Sequence, residues 1–191
     1  MQSNDEYLWY SFIKGDKSAF ATLFTTYYES LYSYGLKISG DPVLTKDSLQ
    51  DFFVYLFQKR NALGKAESVK AYLFISYRRA ILKCVKEKRK HTSNANDLST
   101  IVEFEISAEQ LTIKQEITSL KNTVIAKSLN KITPRQREVI YLRYYNNLGI
   151  KEIASVMNIE YQSVLNILQK AFTSLKNELQ SQSLDILFKE K

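Results

Sequence analysis

The 191-residue sequence predicts an all-α fold, and three observations predict it. Five glycines and two prolines are few for a turn-rich all-β chain. Apolar residues recur at spacings of three and four along much of the chain, the period of a helix face. The stretch "IKEIASVMNIEYQSVLNILQKAF", 150–172, carries two such sets around a tight joint at Met157, Asn158 and Ile159.

Each element has its own signal. "SAFATLFTTYYESLYSYGLKI" sets Phe20, Leu23, Phe24, Tyr27, Tyr28 and Leu31 in helical phase, and "SGDP" at 39–42 reads as a turn. "VLTKDSLQDFFVYLFQKR" repeats the pattern through Leu49, Phe52, Phe53, Leu56 and Phe57. "NALGKAES" at 61–68 interrupts it, and a third amphipathic helix runs from Val69 into a basic block. "HTSNANDLST", 91–100, is polar and reads as a linker. "IVEFEIS" after it fits a short extended piece. Helical phase returns through Leu111, Ile113, Ile117, Leu120, Val124 and Leu129. Thr133 as N-cap, Pro134 at the first helical position and Gln136 three after the cap mark a sharp helix start. That helix is expected to reach about Tyr145, where "NNLG" ends it.

Composition narrows the chemistry. Cys84 is the only cysteine, which excludes an intrachain disulfide and a cysteine-based zinc site. His91, the only histidine, lies in a basic-to-polar transition and reads as a solvated surface residue. The sequence has no phosphate-cradling glycine loop and no nucleophile elbow. Catalysis, a metal and a cofactor are therefore not expected. "MQSNDEYLWYSF" lacks a basic region followed by an apolar core, so it does not read as a secretory signal. No uncharged apolar run approaches the roughly 18 residues that span a bilayer. No membrane insertion and a cytoplasmic location are expected.

Charge is distributed unevenly along the chain. Arg78 to Lys90 holds seven Lys or Arg against Glu87, a net of +6 out of +7 for the whole chain. His91 to Thr112 has four carboxylates and no Lys or Arg, a net of −4. The first segment attracts polyanions and the second repels them.

In the 150–172 stretch, Ile150, Ile153, Ala154 and Met157 make one face of a short helix. Asn158 suits the left-handed backbone of a tight joint, and Ile159 plugs it. Val164, Ile167, Leu168 and Ala171 face inward from a second helix, which leaves Tyr161, Gln162, Leu165, Asn166, Gln169 and Lys170 outward. Such a helix-turn-helix offers its second helix to the DNA major groove, where Gln and Asn can bond adenine in two places. The same spacing also fits a plain helical hairpin in a bundle. Glu160 to Lys170 has no net charge, so this helix alone should bind DNA weakly. Upstream, Tyr72, Phe74 and Tyr77 lead into Arg78 and Arg79, an aromatic and cationic mixture that suits single-stranded nucleic acid. Phe74 reads as core. For Tyr72, Tyr77 and the cations, a buried ring and a solvated face fit as well as a strand-binding surface.

With these motifs in this order, the chain resembles bacterial RNA polymerase sigma factors of the extracytoplasmic-function group, from about Tyr7 to Leu179. The resemblance implies two small helical domains: 1–90 as sigma domain 2, a flexible acidic linker at 91–112, and 113–191 as sigma domain 4. "DSLQDFFVYLF" is similar to the helix that docks on the polymerase β′ clamp, which implies Asp47, Gln50, Asp51 and Phe53 as polymerase-binding residues. Phe52 and Phe53 are expected to split between core and interface. "AYLFISYRRAILKCVKEKRK" resembles the helix that melts the promoter and reads the minus-ten element. It implies Tyr72, Tyr77, Arg78, Arg79, Lys83 and Lys86 as DNA-binding, with a flipped base received by the loop Leu63 to Lys70. The C-terminal motif resembles the reader of the minus-thirty-five element, implying Tyr161, Gln162, Ser163, Asn166 and Lys170.

Five positions depart from the family's usual residues. Tyr72 stands for Trp, Arg79 for Asn, Lys83 for Asp, Glu160 for a small hydroxyl cap and Leu165 for Lys. The expected partners are core RNA polymerase, through its β′ clamp and β flap, promoter DNA and an anti-sigma factor. The alternative reading is a stand-alone helix-turn-helix transcriptional regulator.

Overall fold

The computed structural model describes residues 4–92, 104 and 127–189, with the side chains of 91–92 and 179–189 outside that description. Residues 93–100 of the expected linker, the acidic run to 112, the extended piece around Phe104 and the periodic residues Leu111 to Val124 therefore lie outside the described residues, Phe104 itself excepted, whereas 91 and 92, expected to open the linker, still belong to the helix before it. Two compact units divide the chain, 1–102 and 103–191.

The first unit is four helices: α1 Asn4–Ile13, α2 Lys17–Ser39, α3 Pro42–Gln58 and α4 Val69–Thr92, with a 3-10 turn at Arg60–Ala62. α2 packs against each of the other three helices. Local chemistry sets the boundaries. Asp16 caps α2 by accepting from the Ser18 and Ala19 amides at 2.8 and 3.2 Å. At the "SGDP" corner Gly40 takes the left-handed conformation (φ 66°) and its N–H closes on the Leu36 carbonyl at 2.8 Å. Asp41 then caps α3 through the Val43 and Leu44 amides at 2.9 and 3.1 Å.

The core of this unit is rich in rings. Trp9, Phe12, Tyr34, Phe52, Phe53, Phe74 and Tyr77 are all buried. Tyr77 fills the space beside Gly35: a Cβ there would lie 2.2 Å from its hydroxyl. Only glycine allows α2 and α4 to approach around that phenol. The helical phase of α2 divides into two faces. Leu23, Tyr27 and Leu31 are buried, whereas Phe20, Phe24 and Tyr28 are half-buried and, with Phe53, Val54 and Phe57 of α3, floor an open groove of about 870 Å³. Lys17, Lys46, Gln50 and Gln58 stand around it.

In the second unit residues 127–131 are helical, followed by α5 Pro134–Ile140, α6 Ile150–Met157 and α7 Tyr161–Lys189. Thr133 caps α5 with the expected reciprocal bonds: its N–H donates to Gln136 Oε1 at 2.9 Å, and the Gln136 amide donates to its hydroxyl at 3.4 Å. The helix does not run regularly to Tyr145. It widens into a π turn at Tyr141–Tyr145, after which Asn147 turns left-handed (φ 51°). Val139, Leu142, Ile153, Val164 and Ala171 form the core, and Phe104 is buried with its ring 5.4 Å from that of Tyr141. Burial pushes the Tyr141 phenol up to about 12.

Candidate nucleic-acid interface

α4 carries an exposed stripe because its residue types segregate by helical phase. Leu73, Phe74, Tyr77, Ile81 and Val85 are buried. Tyr72, Arg79, Lys83, Lys86 and Lys90 fall on the opposite side, within a sector about 60° wide at 100° per residue. The four cations are exposed and Tyr72 is half-buried, its ring 5.0 Å from that of Trp9. Arg78 lies beside the stripe, half-buried and in contact with its surroundings. Lys83 pairs with Glu87 at 3.9 Å across one helical turn, but both side chains are more than half exposed, so the pair contributes only about 0.3–0.5 kcal/mol. Such a pair does not hold Lys83 back from a phosphate. Lys88 points elsewhere and pairs with Asp41, which it holds below the usual carboxylate range together with the capping amides.

One expected residue is corrected by the packing, and a second is confined to the groove floor. Tyr77 is 0% exposed, its hydroxyl directed at the Thr45 carbonyl at 3.4 Å, and it cannot stack on a base from that position. Stacking gains about 1–3 kcal/mol. Removing a large buried ring from a core costs about 3–5 kcal/mol. The core wins. Phe53 is 3% exposed, its ring 4.8 Å from that of Phe24 and 5.4 Å from that of Phe52, yet it lines the open groove, which Phe52 does not. Phe53 reaches a partner only as part of the groove floor.

On α3, Asp47, Gln50 and Asp51 are exposed at spacings of three and four, and Val54 continues their stripe at 48% exposure. Sequence reasoning missed Val54, although the same spacing pointed to it. The loop before α4 leaves Lys65 and Glu67 exposed between half-buried Leu63 and Ser68.

In the second unit α6 and α7 meet at the expected joint. Asn158 adopts φ 53° and ψ 55°, and the Ile159 N–H returns to the Ala154 carbonyl at 2.9 Å. The Gly149 N–H donates to Glu152 Oε2 at 2.6 Å and fixes the start of α6. Val164, Leu168 and Ala171 turn inward and Ile167 is half-buried. Tyr161, Gln162, Asn166, Gln169 and Lys170 are exposed, while Ser163 and Leu165 are half-buried. Gln162 Nε2 reaches Asn166 Oδ1 at 3.4 Å, one turn apart, so the two amides stand on one edge of the helix. A further exposed pair, Tyr144 and Phe172, meets edge to face at 5.9 Å. Among the described residues no group of three or more His, Cys, Asp or Glu is placed to hold a metal ion. No helix of that part is long and apolar enough to cross a membrane.

This arrangement is matched by known proteins. Residues 123–175 match the family model for sigma-70, region 4. The chain is 24% identical over 157 residues to the ECF RNA polymerase sigma factor SigM of Bacillus subtilis, covering 81% of this chain and 91% of that protein. It is 25% identical over 174 residues to the ECF RNA polymerase sigma factor SigL of Mycobacterium tuberculosis, covering 88% and 95%. In fold it is similar to CnrH, solved in complex with the cytosolic domain of CnrY, with a TM-score of 0.62 at 18% identity over 93% of this chain and 97% of that one. It is also similar to the sigma factor RpoE, solved with the anti-sigma factor NepR from Bartonella quintana, with a TM-score of 0.61 at 17% identity over 84% and 96%. With a sigma-70 region 4 match over the helix-turn-helix and relatives that run most of its length, the chain is similar to the extracytoplasmic-function RNA polymerase sigma factors of the sigma-70 family.

Proposed function

We propose that this chain binds core RNA polymerase and directs it to a subset of promoters, without chemistry of its own. Residues 1–90 act as sigma domain 2 and 113–191 as sigma domain 4, with the acidic 91–112 segment between them. Asp47, Gln50, Asp51 and Val54 on α3 meet the polymerase clamp beside the ring-floored groove. Tyr72, Arg79, Lys83 and Lys86 hold the opened minus-ten strand, and the loop from Leu63 to Lys70 takes up a flipped base. Tyr161, Gln162, Asn166 and Lys170 meet the minus-thirty-five element in the major groove, with Ser163 at the edge of that surface. The similar RpoE structure, solved with the anti-sigma factor NepR, supports an antagonist of this kind here, and a cytoplasmic site of action follows from the same reading.

One observation carries the proposal: a single chain holds two exposed surfaces of different kinds. A stripe of one ring and four cations suits a single strand. A helix edge of amides suits base edges in a duplex. A stand-alone regulator has use for the second only. Opening then follows from differential binding, since a surface that holds the separated strand better than the duplex shifts the equilibrium towards open DNA. Run-off transcription with purified core polymerase, on promoters from the chain's own genome, is the test. Defined transcripts are expected only when the chain is added, and transcripts no different from those of core polymerase alone would sink the reading.

A further inference from the structure

Trp9 is the one tryptophan of the chain and lies 2% exposed on α1. Its indole Nε1–H donates to the Gly64 carbonyl at 3.0 Å, across 55 residues of sequence. The same ring meets that of Tyr72 at 5.0 Å. One side chain of α1 thus touches both the loop ahead of α4 and the aromatic residue that heads the exposed stripe of α4.

The loop is held at two points. Gly64 is tied to the indole. Ser68 is tied to α4, its hydroxyl accepting from the Ala71 amide at 3.2 Å and its carbonyl from the Tyr72 amide at 3.0 Å. Between these points Lys65 and Glu67 are exposed. A Cβ at Gly64 would meet nothing within 4 Å, so that side of the loop is open. A segment fixed at both ends with an open middle has less freedom to lose when it takes up a ligand.

We propose that Trp9 is a positioning residue for strand capture: it fixes the 63–68 loop and Tyr72 relative to each other, so that a flipped base meets a preformed acceptor. This rests on the reading that the loop receives such a base. Trp9 is too deeply buried to touch DNA and acts through the Gly64 carbonyl and the Tyr72 ring.

The test replaces Trp9 with β-(3-benzothienyl)alanine, which keeps the shape of the ring and removes the N–H. Because the chain has one tryptophan, incorporating the analogue changes position 9 alone. Trp9→Phe is a second variant. Each full-length protein is combined with core polymerase on promoters whose non-template nucleotides across the melted region are made abasic one at a time, and opening is read by permanganate reactivity. On the intact promoter the analogue should lower the open-to-closed ratio about three- to tenfold, the factor expected for one neutral hydrogen bond. At the abasic position that weakens opening by the unchanged protein, the analogue should add nothing, because the base and its positioner act as one unit. Equal losses on intact and abasic promoters would indicate a general loosening of the unit and overturn the proposal. So would an analogue that opens promoters as well as the unchanged protein does. If no abasic position affects the unchanged protein, the base-capture reading itself fails and the proposal falls with it.

Discussion

At the scale of the residue, Lys37 shows how the core sets a titration. It is 5% exposed on α2, and burial pushes its amine down to about 8 from an ordinary 10.5. An amine that binds its proton less tightly when folded makes the unfolded chain the better proton acceptor between those two values. Stability of the first unit therefore rises as pH climbs from about 8 towards 10.5. The buried phenols of Tyr27 and Tyr77, held above their ordinary value, act in the opposite direction above pH 10, where the unfolded chain ionises first. Lys37→Met should remove this rise, so that the variant loses ground to the unchanged unit between about pH 8 and 10.5. Urea unfolding followed by the emission of Trp9 reads this unit, and a pH-independent difference would refute the assignment. Tyr77 teaches a related lesson. Its spacing to Phe74, Ile81 and Val85 already put it on the apolar line of α4, but its place beside the cations Arg78 and Arg79 suggested DNA. Helical phase outweighs sequence proximity, since a residue's neighbours in space lie three and four positions away.

At the scale of the element, α4 turns a basic block into a directed surface. Arg79, Lys83, Lys86 and Lys90 share one side, while Lys88 is engaged with Asp41. The +6 of the segment therefore overstates what one strand can meet. Replacing Arg79, Lys83 and Lys86 together with alanine should flatten the log–log salt dependence of open-complex formation by about 2, since each lost contact to a single strand removes roughly 0.7. A salt titration of promoter opening measures the slope, and an unchanged slope would place these cations off the DNA path. On α3 the same geometry separates Asp47, Gln50, Asp51 and Val54, which face solvent, from Phe52 and Phe53, which do not.

At the scale of the whole molecule, the joint and first turns of α7 are together electrically neutral: Glu160 to Lys170 has one charge of each sign. Phosphate attraction supplies most sequence-independent DNA affinity, so this helix depends on being delivered. If the first unit is held on the polymerase as proposed, a covalent tether would provide that, raising the effective concentration of this helix at the promoter to the order of millimolar. A specific protease site inserted between residues 95 and 100 tests the point. Cutting the chain in the assembled enzyme should lower occupancy of minus-thirty-five-dependent promoters about a hundredfold, by filter binding before and after cleavage. Equal occupancy would show that the two halves act without the link.

What the sequence determined by itself was local. The caps at Thr133, the left-handed Asn158 and the corner at Gly40 and Asp41 were legible because each is decided within four residues by backbone hydrogen bonding. That Tyr161, Gln162, Asn166 and Lys170 of α7 stand exposed together was legible for the same reason, since one helix fixes which of its side chains point together. Tertiary structure decided how apolar stripes were used. Phe20, Phe24 and Tyr28 read like Leu23, Tyr27 and Leu31, yet one set floors an open groove and the other fills the core. Phe53 and Tyr77 were claimed by packing, and Trp9 was joined to Gly64 over 55 residues. Periodicity states that a face is apolar; only the neighbour that covers it, or leaves it open, determines what that face does.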